Sequence, residues 1–170
     1  PKLKTILDLF INVFRSFPFI ILMILVFPLS RFIVGTTIGS TATIVPLSIA
    51  AAPFVARLIE GAIKEVDGGL IELSKSLGAN NWEIIFKVLI PEAMPSLVHS
   101  FTITIISLIG YSAMAGAIGG GGLGDLAIRY GYQRFQTDIM IISVVVIIII
   151  VQVIQVIGDL IVKNIKKNRK

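Results

Sequence analysis

Apolar residues run in long blocks along this chain, and polar residues gather between the blocks. A stretch of about 20 predominantly apolar residues crosses about 30 Å of hydrocarbon as a helix. Four blocks approach that length, at residues 17–34, 43–63, 97–118 and 139–162. The first is short and is interrupted by Pro28 and Arg31. Proline in a membrane helix implies a kink whose freed carbonyl finds another partner, and Arg31 is expected to snorkel to the interface. The second holds Pro46, Pro53 and many small residues, which let helices approach closely in lipid. The third is rich in Ser, Thr, Gly and Ala, and it is expected to pack on neighbours or line a path. The fourth is dominated by Ile and Val. Such residues favour strands in water, but in lipid a helix satisfies its own backbone and wins.

Two polar segments separate these blocks. Residues 64–95 read as two short helices. The first, over about 69–77, ends at Gly78, a favoured residue just past a helix end. The second opens with Asn80 as N-cap and Glu83 three residues on, the spacing of a capping box, and is expected to stop before Pro91. Residues 119–137 read as a glycine-rich loop.

Composition agrees with a membrane chain. Charged residues are only 15% of the total, against about 25% in soluble domains, too few to cover a water-facing surface. The expected fold is an all-α integral membrane protein, a single polytopic helical bundle over 1–170. The net charge is +5, and Lys163, Lys166, Lys167, Arg169 and Lys170 crowd the end. A basic tail directly after an apolar segment reads as a cytoplasmic anchor facing anionic lipid, not as a nucleic-acid surface. Counting back from that tail puts 64–95 and residues 1–16, with Lys2, Lys4 and Arg15, inside, and 119–137 outside. The absence of cysteine excludes disulfides and thiolate metal sites. His99, the single histidine, has no partner cluster and reads as interfacial. No metal site is expected.

The polar segment 64–95 carries the most specific pattern: Glu72, Leu73 and Ser74, three residues, Gly78, nine residues, then Val88-Leu89-Ile90-Pro91. It resembles the signature loop of the membrane subunits of ATP-binding-cassette (ABC) importers, Glu-Ala-Ala, three residues, Gly, nine residues, Ile, any residue, Leu-Pro. Glu72, Gly78 and Pro91 match; Leu73 and Ser74 depart from the two alanines. The segments RSFPFIILM (15–23), IVPLSIAAAPFVARLIE (44–60), SLGANNWEIIFKVLIPEAMPSL (76–97) and GYSAMAGAIGGGGLG (110–124) are similar to the permease subunits of methionine importers.

This resemblance implies a type I ABC importer permease for methionine, L and D, that works as a homodimer. Two separate ATPase subunits would bind ATP and Mg, and an external lipid-anchored binding protein would deliver substrate. It implies coupling to the ATPase through 65–91, with Glu72 and Gly78 shaping the loop, Leu73, Ser74, Leu77 and Ala79 in or beside the contact, and Pro91 as helix stop. The family has five spans; four are visible and the chain opens on Pro1, so a missing N-terminal span is expected. Tyr111, Ser112 and Met114 are path or gate candidates, Met114 because its thioether is flexible and polarizable. Gly119, Gly120, Gly121, Gly122 and Gly124 would form the docking loop for the binding protein. The run 119–124 also fits G-x-G-x-x-G, but it follows an apolar helix, not a strand, so the context of a nucleotide site is missing. No G-x-x-x-x-G-K-[ST] motif occurs, so any ATP hydrolysis belongs to a partner and the chain itself is not expected to be an enzyme. A permease for another amino acid or small polar solute, an ion-coupled secondary transporter and a non-transporting scaffold are the rival readings.

Overall fold

The computed structural model describes residues 2–168. Pro1, Arg169 and Lys170, and the side chains of Lys2, Lys4 and Arg15, lie outside the described residues, and with them part of the basic pattern used above for orientation. Among the described residues the chain is helical, with no strand. Its elements are α1 (Lys2–Ser16), α2 (Phe19–Val34), α3 (Ser40–Lys64), α4 (Gly68–Ser76), α5 (Asn81–Glu83), π1 (Ile84–Leu89), α6 (Ile90–Ala115), π2 (Gly116–Gly120), α7 (Gly122–Asp125), π3 (Leu126–Tyr132) and α8 (Thr137–Lys167).

Among the described residues three helical stretches are long and apolar enough to cross a membrane: Ser40–Lys64, Asn81–Gly120 (kinked at Ile118 and Gly119) and Thr137–Lys167. At 1.5 Å per residue, the 16 residues of α2 rise only about 24 Å. Pro18, with φ −58° and ψ 128°, breaks the path between α1 and α2. Helix α1 continues below this break and packs along α3. The short first apolar block is therefore one limb of a broken helix pair whose other limb is more polar.

Helices α2, α3 and α6 form the centre. Phe19, Met23 and Ala115 are buried together, with Phe27, Leu47, Ala50, Tyr111 and Ile118 packed around them. Small and hydroxyl residues then serve as close-contact surfaces. Ser100 donates to the Leu58 carbonyl of α3 at 3.4 Å, and Gly158 of α8 leaves room for the Thr102 side chain of α6. Only Ser143 and Gly158 of α8 are buried. A helix that is apolar all round yet exposed in its own bundle belongs against lipid.

Two sequence expectations are corrected. Pro91 does not stop a helix: the backbone stays helical from Asn81 past Ala115 and breaks only at Ile118 (φ −115°) and Gly119 (φ +92°). The reason lies in π1, where the Ile90 N–H reaches back five residues to the Ile85 carbonyl. The wider π turn directly ahead of Pro91 shifts the bonding pattern, and the ring then falls in the first turn of α6, where proline is tolerated. Residues 119–137 are also not an open loop, since π2, α7 and π3 fold most of that segment into a helical turn packed against α6 and α8.

Candidate functional site

The hairpin between α3 and α6 is locked by its own sequence. Asp67 caps α4, its Oδ1 accepting from the Gly69 N–H at 2.8 Å. At the other end the Gly78 N–H donates to the Lys75 carbonyl and the Ala79 N–H to the Ser74 carbonyl, both at 3.0 Å. That pair is a Schellman motif, and it requires Gly78 at φ +84°, a left-handed conformation natural to glycine. The next helix starts at once with the capping box: the Glu83 N–H donates to Asn80 Oδ1 at 2.9 Å, and the Asn80 N–H donates to Glu83 Oε2 at 3.1 Å. Lys87 Nζ adds an ion pair to Glu83 Oε1 at 3.1 Å. Glu83 lies in the hairpin, in the first turn of the Asn81–Gly120 stretch and ahead of its apolar block at 97–118. The Asn80 N–H and then Lys87 hold its carboxyl below its ordinary value.

Glu72 is exposed on α4, and its carbonyl accepts the Ser76 hydroxyl at 3.0 Å. Ser74 turns inward locally, donating to the Leu70 carbonyl at 2.7 Å. Leu73 and Leu77 are exposed, Leu77 to 79%, and Pro91 is exposed at the root. Sequence reasoning missed Trp82 and Phe86, which stack at 5.9 Å between ring centroids and are 70% and 60% exposed. They stand one helical turn apart, and the single tryptophan of the chain was the available signal. The hairpin thus pairs a rigid backbone with an uncovered apolar tip. Such a tip suits contact with another protein, since large aromatic residues are enriched where interfaces bind most strongly.

The path candidates separate. Tyr111 and Met114 line one cavity of about 560 Å³ with Phe17, Pro18, Phe19, Phe54 and others from α2 and α3. Ser112 faces the opposite side, in a smaller cavity of about 150 Å³ beside Gly121, Gly122 and Gly124. The glycine turn is tightly built. A Cβ on Gly116 or Gly124 would strike backbone of the facing segment. Gly120 lies against the Ala115 carbonyl, 2.7 Å from where its Cβ would sit, and the Gly119 carbonyl accepts from the Gly39 N–H at 3.0 Å.

A charged cluster also joins α1 to α3. Arg57 pairs with Asp8 at 3.0 Å and Glu60 at 2.6 Å and donates to Asn12 Oδ1 at 3.2 Å, while Lys64 pairs with Glu60 at 2.7 Å. Among the described residues no group of three or more His, Cys, Asp or Glu side chains is placed to hold a metal.

Fold and site together define a multi-pass helical membrane protein of the transporter class. The chain belongs to the family of binding-protein-dependent transport system inner membrane components, whose family model matches residues 1–170. It is 53% identical over 155 residues to a probable D-methionine transport system permease protein MetI of Vibrio cholerae, covering 91% of this chain and 69% of that protein. It is 51% identical over 157 residues to the methionine import system permease protein MetP of Bacillus subtilis, covering 92% and 71%. A solved structure of inward-facing conformations of the MetNI methionine ABC transporter superposes with a TM-score of 0.93 at 49% identity, over 96% of this chain and 76% of that one.

Proposed function

We propose that this chain is the membrane-spanning permease subunit of an ATP-driven importer and that its cargo is methionine, in L and D forms. The observation that carries the reading is mechanical. The apolar-tipped hairpin runs without a break into the helix that bears Tyr111 and Met114, and the stretch from Asn81 to Met114 rises about 50 Å at 1.5 Å per residue. A partner that grips the hairpin through Leu73, Leu77, Trp82 and Phe86 therefore moves the inner cavity wall. The matched relatives, named for methionine transport, support the cargo.

In this reading two copies of the chain pair in the cytoplasmic membrane and two ATPase subunits, holding ATP and Mg, seat the hairpins on the cytoplasmic side. The C-terminus faces the same side, and the glycine turn at Gly119–Gly124 faces outward, toward a lipid-anchored binding protein. ATP binding closes the ATPase pair and rocks the spans outward-open, and hydrolysis returns them. The chain itself performs no hydrolysis. The test is uptake of labelled methionine by proteoliposomes holding the permease, its ATPase subunit and its binding protein. Uptake that needs ATP and disappears when Asp67–Leu89 is replaced by a flexible linker is expected. Equal uptake without ATP overturns the reading.

A further inference from the structure

The larger inner cavity has an unusual lining. The chain has 14 aromatic residues in all (10 Phe, 3 Tyr and 1 Trp), yet four of them, Phe17, Phe19, Phe54 and Tyr111, meet around this single space of about 560 Å³, with the Met114 thioether at its edge. Phe19 and Tyr111 stack at 4.6 Å with their planes 18° apart, so this wall is set in the packed centre and not assembled from loose side chains. Met114 is 51% exposed and Phe17 39%, so the cavity is open where these two side chains line it.

The cavity meets α3 near its middle and α6 in its last turns, at Tyr111 and Met114. Ala50 and Phe54, which contribute the α3 wall, straddle the middle of Ser40–Lys64. The break at Phe17–Pro18 opens at this level, placing the end of α1 and the start of α2 at the wall. Broken helices within a membrane are tolerated where they line a cavity. Secondary transporters with discontinuous spans use such breaks as cargo sites. Sulfur makes favourable contacts with aromatic ring edges at about 5 Å, a preference that an all-carbon chain of the same shape does not share.

We propose that this cavity is a transient station for cargo within the permease, in which Phe17, Phe19, Phe54 and Tyr111 select a thioether side chain. The proposal rests on the methionine reading above and adds a selectivity step inside the membrane. It differs from a purely steric gate, which treats methionine and its carbon isostere norleucine alike.

The experiment uses proteoliposomes holding the complete transporter and measures cargo imported per ATP hydrolysed, for methionine and norleucine, each at concentrations that saturate the binding protein. The unaltered transporter is expected to favour methionine by about twofold to tenfold, the span of one sulfur–aromatic contact. Phe54→Leu and Tyr111→Leu are expected to bring that ratio close to one. Tyr111→Phe, which keeps the ring, and Phe101→Leu, a like exchange on α6 outside the cavity, keep it. A ratio near one in the unaltered transporter overturns the station, as does a ratio unmoved by Phe54→Leu and Tyr111→Leu. Equal falls for both cargoes in those variants assign the rings to packing and also overturn it. Absence of ATP-driven methionine import in the unaltered transporter is a separate result, which removes the parent reading.

Discussion

Two glycine turns in this molecule do opposite jobs. Around Gly78 there is nothing within 4 Å of an added Cβ, and glycine is there only because the backbone turns left-handed. Around Gly116 and Gly124 an added Cβ meets the backbone of the facing segment. The first turn is free in space and fixed in conformation, as a projecting part that must keep its shape when touched requires. The second is fixed by its surroundings, as suits a plug that closes the end of a bundle. Glycine is the same residue in both, but its substitution should read out differently.

The largest effect is expected at the packed turn. Gly124→Val should cost on the order of 3 kcal/mol through overpacking against Ala113, seen as loss of monodisperse protein in detergent and a lower Tm. A stable Gly124→Val protein would erase the contrast. Next comes Gly78→Val, at about 1–2 kcal/mol for forcing a side chain into the left-handed region. It should leave insertion and yield intact while ATP-driven uptake falls at least about tenfold, because the tip no longer presents its residues in register. Loss of membrane insertion in that variant would place Gly78 in folding instead of coupling.

Trp82→Ala sharpens the same contrast without touching the backbone. Affinity of the permease for its ATPase subunit should fall about tenfold to thirtyfold, the usual range for an exposed aromatic anchor, with Tm unchanged. The smallest effect is pH-dependent. Glu83 has its folded-state carboxyl lowered by the Asn80 N–H and Lys87. Its contribution to the capping box is therefore complete above the ordinary carboxylate range and disappears as pH falls through the lowered value. Amide exchange at Asn80 and Glu83, corrected for the intrinsic rate, should show less protection in that acid range, and Glu83→Gln should flatten the profile.

What was legible in the sequence was local. The Asn80–Glu83 box, the end of α4 at Gly78 and the apolar runs depend on residues within a few positions of one another, so spacing alone located them. Pro91 misled because its usual meaning assumes an α-helical turn before it, and the π stretch at Ile84–Leu89 changes that turn. The Arg57 pairing with Asp8 joins residues 49 positions apart, and the lining of the inner cavity draws on α2, α3 and α6. Neither leaves a periodic trace. Tyr111, Ser112 and Met114 looked equivalent on one helix, but a rotation of roughly 100° per residue sends Ser112 to a different neighbour.

The Arg57–Asp8–Glu60 cluster bears on how the chain enters the bilayer. An arginine presented alone to hydrocarbon carries an insertion penalty of about 2.5–3.5 kcal/mol at the centre of a helix, and an unaccompanied aspartate is disfavoured likewise. Asp8 and Asn12 of α1, with Glu60 of α3 itself, give Arg57 the partners that offset such a penalty. The two helices thus share one charge set, and separating them in lipid would leave ions on both without company.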